Sequence, residues 1–376
     1  MTPERASRIE GWATPGGTAA YAKRGAPPAV SEHYRMLDSC RASSVGSGTY
    51  LGSDDDATDA QYHAALTQAL ERGLNVIDTA INYRSQRSER VVGGVLAALI
   101  ASGRIRRDEV VVATKGGFIP FDGSAPREPT RYLVETYVKP GIIDPSEIVA
   151  GCHCLAPRYL ADQLDRSRAN LGLDTIDVYL LHNPEMQLET LSRDAFLARI
   201  RSAFAALEEA VAGGKIRRYG TATWNGYRQP LGAPDRLSLA ELVQAARDVA
   251  GDTHHFQVLQ LPYNLAMTEA FTLPNQEVDG TMGSLLAAAE RHGLYVMASA
   301  SVYQGQLTRQ VPEVLQQLLP GLVTSAQRAI QFVRSTPGIG TALVGMKSIA
   351  HVEENAQVRT VPSVPWAEFQ RLFTPA

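Results

Sequence analysis

The chain has 376 residues, and its 36 lysines and arginines nearly balance 39 aspartates and glutamates, for a formal net charge of −3. This balance excludes a generally basic nucleic-acid-binding protein and a polyacidic tail protein. No apolar run approaches the roughly 18 residues that span a membrane, and the N-terminus lacks the apolar segment of a secretory signal. We therefore expect neither a nucleic-acid partner nor a membrane partner.

The three cysteines are Cys40, Cys152 and Cys154. An odd, sparse set does not describe a disulfide framework and favours a reducing compartment, so we expect a cytoplasmic protein. The run Cys152-His153-Cys154 offers three metal-ligand types. Three ligands in one tripeptide make poor tetrahedral geometry, and we expect no metal site.

Residues 1–36 are polar and rich in Pro and Gly, which predicts a flexible or draped N-terminal extension ahead of one domain, 37–376. Short β-type runs then alternate with helical patterns. Most of the runs are apolar on consecutive residues, as in strands buried on both faces. The predicted strands are 44–48, 75–78, 110–115, 176–182, 219–223, 258–260, 295–298 and 342–345.

Helical periodicity fills the intervals between these strands. Ser88 is predicted to cap one helix, and Pro157 to be the first residue of another. The remaining predicted helices are 60–71, 195–211, 239–250, 282–292 and 324–334, with helical spacing again in the C-terminal tail around Trp366. Eight strands in strict alternation with helices predict a single (β/α)8 TIM barrel with parallel strands; an open doubly wound sheet is the alternative.

The connection 116–156 is unusually long and has no clear periodic signal. Loops of this length in compact domains are usually lids or binding elements, or else disordered. Its content of aromatic residues, among them Phe118 and Tyr137, argues against disorder. We therefore predict a lid-like insertion at the C-terminal face of the barrel, where active sites are built.

Polar residues stand at the C-terminal ends of several predicted strands, namely Asp78, Lys115, His182 and Gln260, and Tyr83 follows Asp78 by five residues. Taken alone, each of these residues has an ordinary structural explanation, such as capping a turn, lying in a solvated loop or packing in the core. In a barrel, however, they converge on one rim.

These residues together predict acid–base chemistry. A lysine ammonium near a tyrosine is expected to lower the phenol's pKa from about 10 and favour proton exchange. A carboxylate such as Asp78 would keep Lys115 charged, and a neutral His182 could orient a carbonyl oxygen. Tyr83 would then protonate that oxygen, with hydride supplied by a nicotinamide.

Several blocks of sequence resemble the aldo-keto reductase signature, in family order over roughly residues 44–360. They are GLNVIDTAINY (73–83), RSERVVG (87–93), VVATK (111–115), LGLDTIDVYLLH (171–182), GKIRRYG (214–220), QLPYN (260–264), VGMKS (344–348) and EEN (353–355). A dinucleotide loop beginning at Gly46 fits poorly, because the third glycine of that fingerprint is missing. The resemblance implies a nicotinamide-dependent oxidoreductase on a barrel.

By this resemblance Tyr83 is the general acid/base, Lys115 tunes its pKa, Asp78 anchors the lysine and His182 orients the carbonyl. The resemblance also assigns cofactor contacts from the nicotinamide to the adenosine phosphate. They are Gly48, Thr49, Tyr50, Asp78, Thr223, Asn225, Gln260, Ser299, Gly305, Gln306, Leu307, Gly345, Lys347, Ser348, His351 and Asn355.

The chain departs from the family pattern in its cofactor pocket. Ala222-Thr223 replaces the usual Ser-Asn pair after the fifth strand, Ser299 stands where an aromatic residue usually stacks, and His351 occupies a usually basic position. Lys347 remains as a phosphate partner, so NADP(H) is favoured over NAD(H).

We expect the substrate to be a small-molecule carbonyl or alcohol, such as a sugar or a natural-product intermediate; no pattern in the sequence indicates the oligomeric state. Two alternatives remain open. A bound nicotinamide could support a redox-neutral isomerase, epimerase or lyase reaction, or the protein could be a non-catalytic cofactor-binding sensor or regulatory protein.

Overall fold

A computed structural model describes residues 8–24, 28–309, 311, 313–319 and 321–373. The strands in this part of the chain are β1 (Tyr34–Leu37), β2 (Cys40–Ser43), β3 (Val45–Gly48), β4 (Val76–Asp78), β5 (Val111–Gly116), β6 (Ile176–His182), β7 (Ile216–Ala222), β8 (Phe256–Pro262), β9 (Gln276–Val278), β10 (Thr281–Gly283), β11 (Tyr295–Ser299) and β12 (Ile339–Gly345).

The α-helices are α1 (Pro15–Ala22), α2 (Asp56–Glu71), α3 (Arg87–Ala101), α4 (Pro129–Leu133), α5 (Pro157–Leu171), α6 (Arg193–Ala212), α7 (Leu239–Ala250), α8 (Glu269–Thr272), α9 (Leu285–Arg291), α10 (Glu313–Leu318), α11 (Ser325–Ser335), α12 (Ile349–Ala356) and α13 (Trp366–Phe369). Among the residues described, no helix combines the length and apolar character that crossing a membrane requires.

Eight parallel strands close into a barrel in the order β3, β4, β5, β6, β7, β8, β11 and β12, with β12 pairing back onto β3. The closed ring confirms the predicted (β/α)8 barrel and excludes the open sheet. The strands are buried on both faces. An inner cluster that includes Val111, Val178 and Leu343 fills the barrel, and a larger cluster lies between strands and helices.

The strand register places the polar strand ends side by side. Gly48 pairs with Asp78, and His182 pairs with Ala222, which in turn pairs with Gln260. Because parallel strands end at the same rim, this register alone gathers the candidate residues at one mouth of the barrel.

The N-terminal part of the chain covers the opposite end of the barrel. Asp177 accepts hydrogen bonds from the Ala13 amide (2.7 Å) and from Arg107 (2.7 Å), and α1 buries Tyr21. Strands β1 and β2 form a hairpin that the sequence did not predict. Of the segment predicted to be a flexible or draped extension, the described residues 8–24 and 28–36 therefore lie against the barrel; residues 1–7 and 25–27 are outside the described part.

The insertion 116–156 contains α4 and a π-helical turn (Val134–Val138). It has a small core of its own, which includes Tyr137, Ile143 and Cys154. Tyr159 at the start of α5 donates a hydrogen bond to the Phe118 carbonyl (2.7 Å) and ties the beginning of the insertion to its end. In the C-terminal tail, Phe369 packs on Phe332 of α11 (ring centroids 5.4 Å apart).

Candidate active site

A cavity of about 860 Å³ opens at the C-terminal mouth of the barrel. The predicted site residues that line it are Gly48, Thr49, Tyr50, Asp78, Tyr83, His182, Thr223, Gln260, Ser299, Gly305, Gly345, Lys347, His351 and Asn355. Lys115 lies fully buried just behind this surface. The same cavity is lined both by the strand ends and by residues of α12.

Lys115 and Asp78 form a buried ion pair at the base of the cavity. The Lys115 Nζ lies 2.8 Å from both carboxylate oxygens of Asp78 and 2.8 Å from the Thr79 carbonyl. Gln260 donates to the same carboxylate at 2.7 Å. Burial acts to lower the pKa of Lys115, but the Asp78 carboxylate and the Tyr83 phenol outweigh burial and leave the pKa above its usual value. The lysine is therefore charged at neutral pH.

Tyr83 faces this ion pair. Its ring centroid is 4.7 Å from the Lys115 Nζ and 5.8 Å from the centroid of the His182 ring. Burial raises the pKa of Tyr83; Lys115 acts in the opposite direction but is opposed in turn by Asp78. The expectation that the lysine brings the phenol below its ordinary pKa was wrong, because the sequence cannot show how much water the fold removes. At neutral pH Tyr83 carries its proton.

His182 ends β6 and is electrically neutral at physiological pH. Burial, the positive charge of Lys115 and the neighbouring His153 hold its pKa well below the usual value. Asn183 follows with a left-handed backbone (φ 48°), so the chain turns away directly after the histidine. A neutral imidazole at this point can donate one hydrogen bond to an oxygen in the cavity.

The turn after Tyr83 differs from the predicted helix start. Arg84, Ser85 and Gln86 all have positive φ, and Gln86 rather than Ser88 is the N-cap of α3. Arg84 holds this strained turn by donating to the Ser53 carbonyl (2.8 Å). Ser88 lies inside the helix and donates to the Thr49 carbonyl (2.7 Å), which links α3 to the cavity wall.

Four predicted cofactor residues do not line the cavity: Asn225, Gln306, Leu307 and Ser348. The Asn225 backbone N–H donates to the buried Glu185 carboxylate at 3.1 Å, and Trp224 lines the cavity in its place. The Ser348 hydroxyl accepts the His351 amide as the N-cap of α12. In the turn around Gln306 and Leu307, the neighbouring Gln304 and Thr308 form the cavity surface.

The lining residues suit a nicotinamide dinucleotide. Thr223 and Asn355 each have a side-chain oxygen that is buried without a hydrogen-bond partner in the described part of the chain. The cavity lining also carries an amide (Gln260), and beside the first turn of α12 it carries a lysine (Lys347) and a histidine (His351). A helix N-terminus with basic neighbours favours a phosphate. Ala222 and Ser299, where the resemblance implies a serine and a stacking aromatic residue, both line the cavity.

The sequence did not single out Asn82, Phe118, Asn183 or Trp224 as part of the site, yet all four line the cavity. Phe118 and Trp224 stand two residues beyond the ends of β5 and β7. The strand-end rule that found Asp78 and His182 could have found them if it had been extended to apolar residues.

His153 is buried between the two cysteines of its tripeptide. Its Nε2 lies 2.7 Å from the His182 carbonyl, and its Nδ1 lies 2.8 Å from the Gln187 side-chain amide. Within the described ranges, no group of three or more His, Cys, Asp or Glu side chains is placed to hold a metal ion.

The model of the aldo/keto reductase family matches residues 44–233. The chain is 27% identical over 191 residues to 6-dehydroglucose reductase of Novosphingobium aromaticivorans, and it spans about half the length of that relative (48% of each chain). It is 26% identical over 337 residues to D-threo-aldose 1-dehydrogenase of a Pseudomonas species, covering 87% of this chain and 91% of the relative. A crystal structure of an aldo/keto reductase from Klebsiella pneumoniae in complex with NADP and acetate has the same fold (TM-score 0.60; 24% identity; 92% of this chain and 97% of that one).

Proposed function

The chain belongs to the aldo/keto reductase family, and we propose that it is an NAD(P)(H)-dependent oxidoreductase that reduces an aldehyde or ketone, or oxidises the corresponding alcohol. One observation carries this proposal. Tyr83, the Lys115–Asp78 ion pair and His182 meet at one end of a cavity large enough for a dinucleotide and a small substrate.

In the reductive direction Tyr83 donates its proton to the substrate oxygen. The charged Lys115 stabilises the phenolate that remains, and Asp78 holds the ammonium in place through both carboxylate oxygens. Neutral His182 donates a hydrogen bond to the same substrate oxygen and orients the carbonyl towards Tyr83. A bound nicotinamide supplies the hydride.

We infer that NADP(H) is preferred over NAD(H). Lys347 and His351 line the end of the cavity beside α12, where they are suited to a 2′-phosphate. Glu354 lines the same end and opposes phosphate binding, so the expected preference is moderate. Fluorescence titration of the wild type with NADPH and NADH, repeated with Lys347→Met, tests this inference. Loss of NADPH affinity alone is the expected result, and an equal loss for both cofactors contradicts it.

We further propose that the substrate is a sugar or a sugar-like carbonyl compound. Tyr50, Phe118 and Trp224 line the cavity and offer apolar faces, while Asn82 and Asn183 add amide groups. The two relatives bear names of sugar-acting enzymes, which supports the same substrate class.

We also propose a cytoplasmic location, because the three cysteines are free, which suits a reducing environment.

The substitution Tyr83→Phe tests the proposed acid–base role. We expect it to lower the rate of carbonyl reduction by about two to four decades while NADPH binding persists. Tyr179→Phe is the matched control, because Tyr179 is also a buried barrel tyrosine but does not line the cavity. A Tyr83→Phe enzyme with wild-type turnover of a confirmed carbonyl substrate would refute the assignment.

The same assays separate the alternative functions. Consumption of NADPH with a carbonyl compound supports the reductase. Turnover without net cofactor consumption would instead indicate a redox-neutral isomerase, epimerase or lyase. Cofactor binding without turnover of any carbonyl in a panel of sugars and aldehydes would indicate a sensor.

A further inference from the structure

We propose that His153, in the insertion 116–156, is a positioning residue that fixes His182 by hydrogen-bonding its main-chain carbonyl. The inference rests on the proposed function, because it concerns the histidine that orients the substrate. His153 itself does not line the cavity. Its effect on the reaction therefore has to pass through His182.

The two contacts of His153 determine its protonation. The His182 carbonyl can only accept, so the His153 Nε2, 2.7 Å away, carries the hydrogen. The Nδ1 then accepts from the Gln187 side-chain amide at 2.8 Å. A neutral imidazole has one donor and one acceptor, and both are used here. Burial holds the pKa of His153 at about 4, so this neutral form persists throughout the physiological range.

The position of the His182 carbonyl explains why it needs this donor. The last residue pair between β5 and β6 is Gly116 with Leu181, so the carbonyl of His182 lies just past the end of the ladder. No β5 amide pairs with it. His153 supplies the hydrogen bond that a longer β5 would have provided.

The start of the insertion reinforces the same contact. Phe118 lies edge-on to both histidine rings, with centroids 5.2 Å from His153 and 4.9 Å from His182. Gly117 passes so close that a Cβ there would lie 2.8 Å from the His153 Nε2 and 3.0 Å from the His182 carbonyl oxygen. Both ends of the insertion therefore pack against His182 and hold it in place.

The substitution His153→Phe removes both hydrogen bonds and keeps an aromatic ring against Phe118. We expect kcat for carbonyl reduction to fall about tenfold to a hundredfold, since small displacements of an orienting group have effects of this size. The KM and the affinity for NADPH should change little. His153→Gln retains an N–H that can reach the His182 carbonyl, and we expect it to restore most of kcat.

Tyr137→Phe is the matched control. Tyr137 is a fully buried aromatic residue of the same insertion that does not touch His182, so its substitution reports general loosening of the insertion. We expect the control to retain wild-type kcat. A wild-type kcat in His153→Phe, or an equal fall in Tyr137→Phe, would overturn the positioning role.

Spectra of selectively 15N-labelled histidine separate this inference from the proposed reaction. The wild type should show His153 as the Nε2–H tautomer, and the His182 signals should shift in His153→Phe but not in Tyr137→Phe. If these shifts occur in a protein that reduces no carbonyl, the positioning role stands and the proposed reaction fails. If reduction proceeds and neither kcat nor the His182 signals respond to His153→Phe, the positioning role fails and the reaction stands.

Discussion

The Lys115–Asp78 pair offers the most direct test of how the site is held together. Lys115 is fully buried, and all three of its hydrogen bonds are 2.8 Å long, two of them to Asp78. Either Lys115→Met or Asp78→Asn leaves one buried charge without its partner. Such a change costs about 3–5 kcal/mol in free energy of unfolding.

The double variant is expected to behave differently. With both charges removed, no buried charge is left uncompensated. The decrease in the free energy of unfolding should therefore stay close to that of one single variant rather than reach the sum of the two. The resulting coupling energy is about 3–5 kcal/mol, at or above the upper end for neighbouring residues. Urea unfolding followed by fluorescence of the three tryptophans measures all four proteins of the cycle.

An exposed ion pair provides the control. Arg291 and Asp279 lie 2.7 Å apart with more than half of each side chain exposed, and an exposed pair of this kind couples by about 0–1 kcal/mol. If the coupling between Lys115 and Asp78 is no larger than in this control pair, the carboxylate does not anchor the lysine. The proposed role of Asp78 would then be wrong.

Three further predictions concern the pH dependence, the cavity wall and the N-terminal segment. Burial raises the pKa of Tyr83 above its ordinary value of about 10. The rate of carbonyl reduction should therefore not change from pH 6 to 9, while the rate of alcohol oxidation rises about tenfold per pH unit. A plateau in the oxidation rate below pH 8 in pH–rate profiles would contradict this. Glu185→Leu removes the acceptor for the amides of residues 224–226 and should raise KM for the carbonyl several-fold, whereas Glu185→Gln keeps an acceptor oxygen and should spare it. Asp177→Ala should speed limited proteolysis within residues 8–24 without changing kcat.

The barrel was predictable because its strands carry a simple signal. Strands buried on both faces are continuous apolar runs, and a polar candidate residue stands at or near the end of four of these runs. Asp78, Lys115 and His182 were found in this way, from local sequence alone. The predicted limits of β7 were less accurate, because the strand Ile216–Ala222 has the basic pair Arg217-Arg218 directly after its first residue.

What could not be predicted depends on contacts between distant segments. Nothing near Ser88 in sequence indicates the left-handed turn at 84–86, since Arg84 holds it through a carbonyl thirty-one residues earlier. Asn225 follows β7 closely enough in sequence to suggest a cofactor ligand, but the loop holds its backbone amide on Glu185 and leaves its side chain exposed outside the cavity. The direction of the Tyr83 pKa likewise follows from burial, which the fold alone determines.

Two segments beside His182, the insertion 116–156 and the loop at 224–226, both hydrogen-bond to the short helical turn Pro184–Glu189 that follows it. Gln187 holds His153 and with it the insertion, while the Glu185 carboxylate accepts the amides of residues 224–226, which present Trp224 to the cavity. The strands fix the acid–base residues, but the shape of the substrate end depends on this turn. Changes at Gln187 should therefore alter orientation of the carbonyl, and changes at Glu185 should alter binding of the substrate, whereas changes at Asp78 or Lys115 should alter proton transfer and stability.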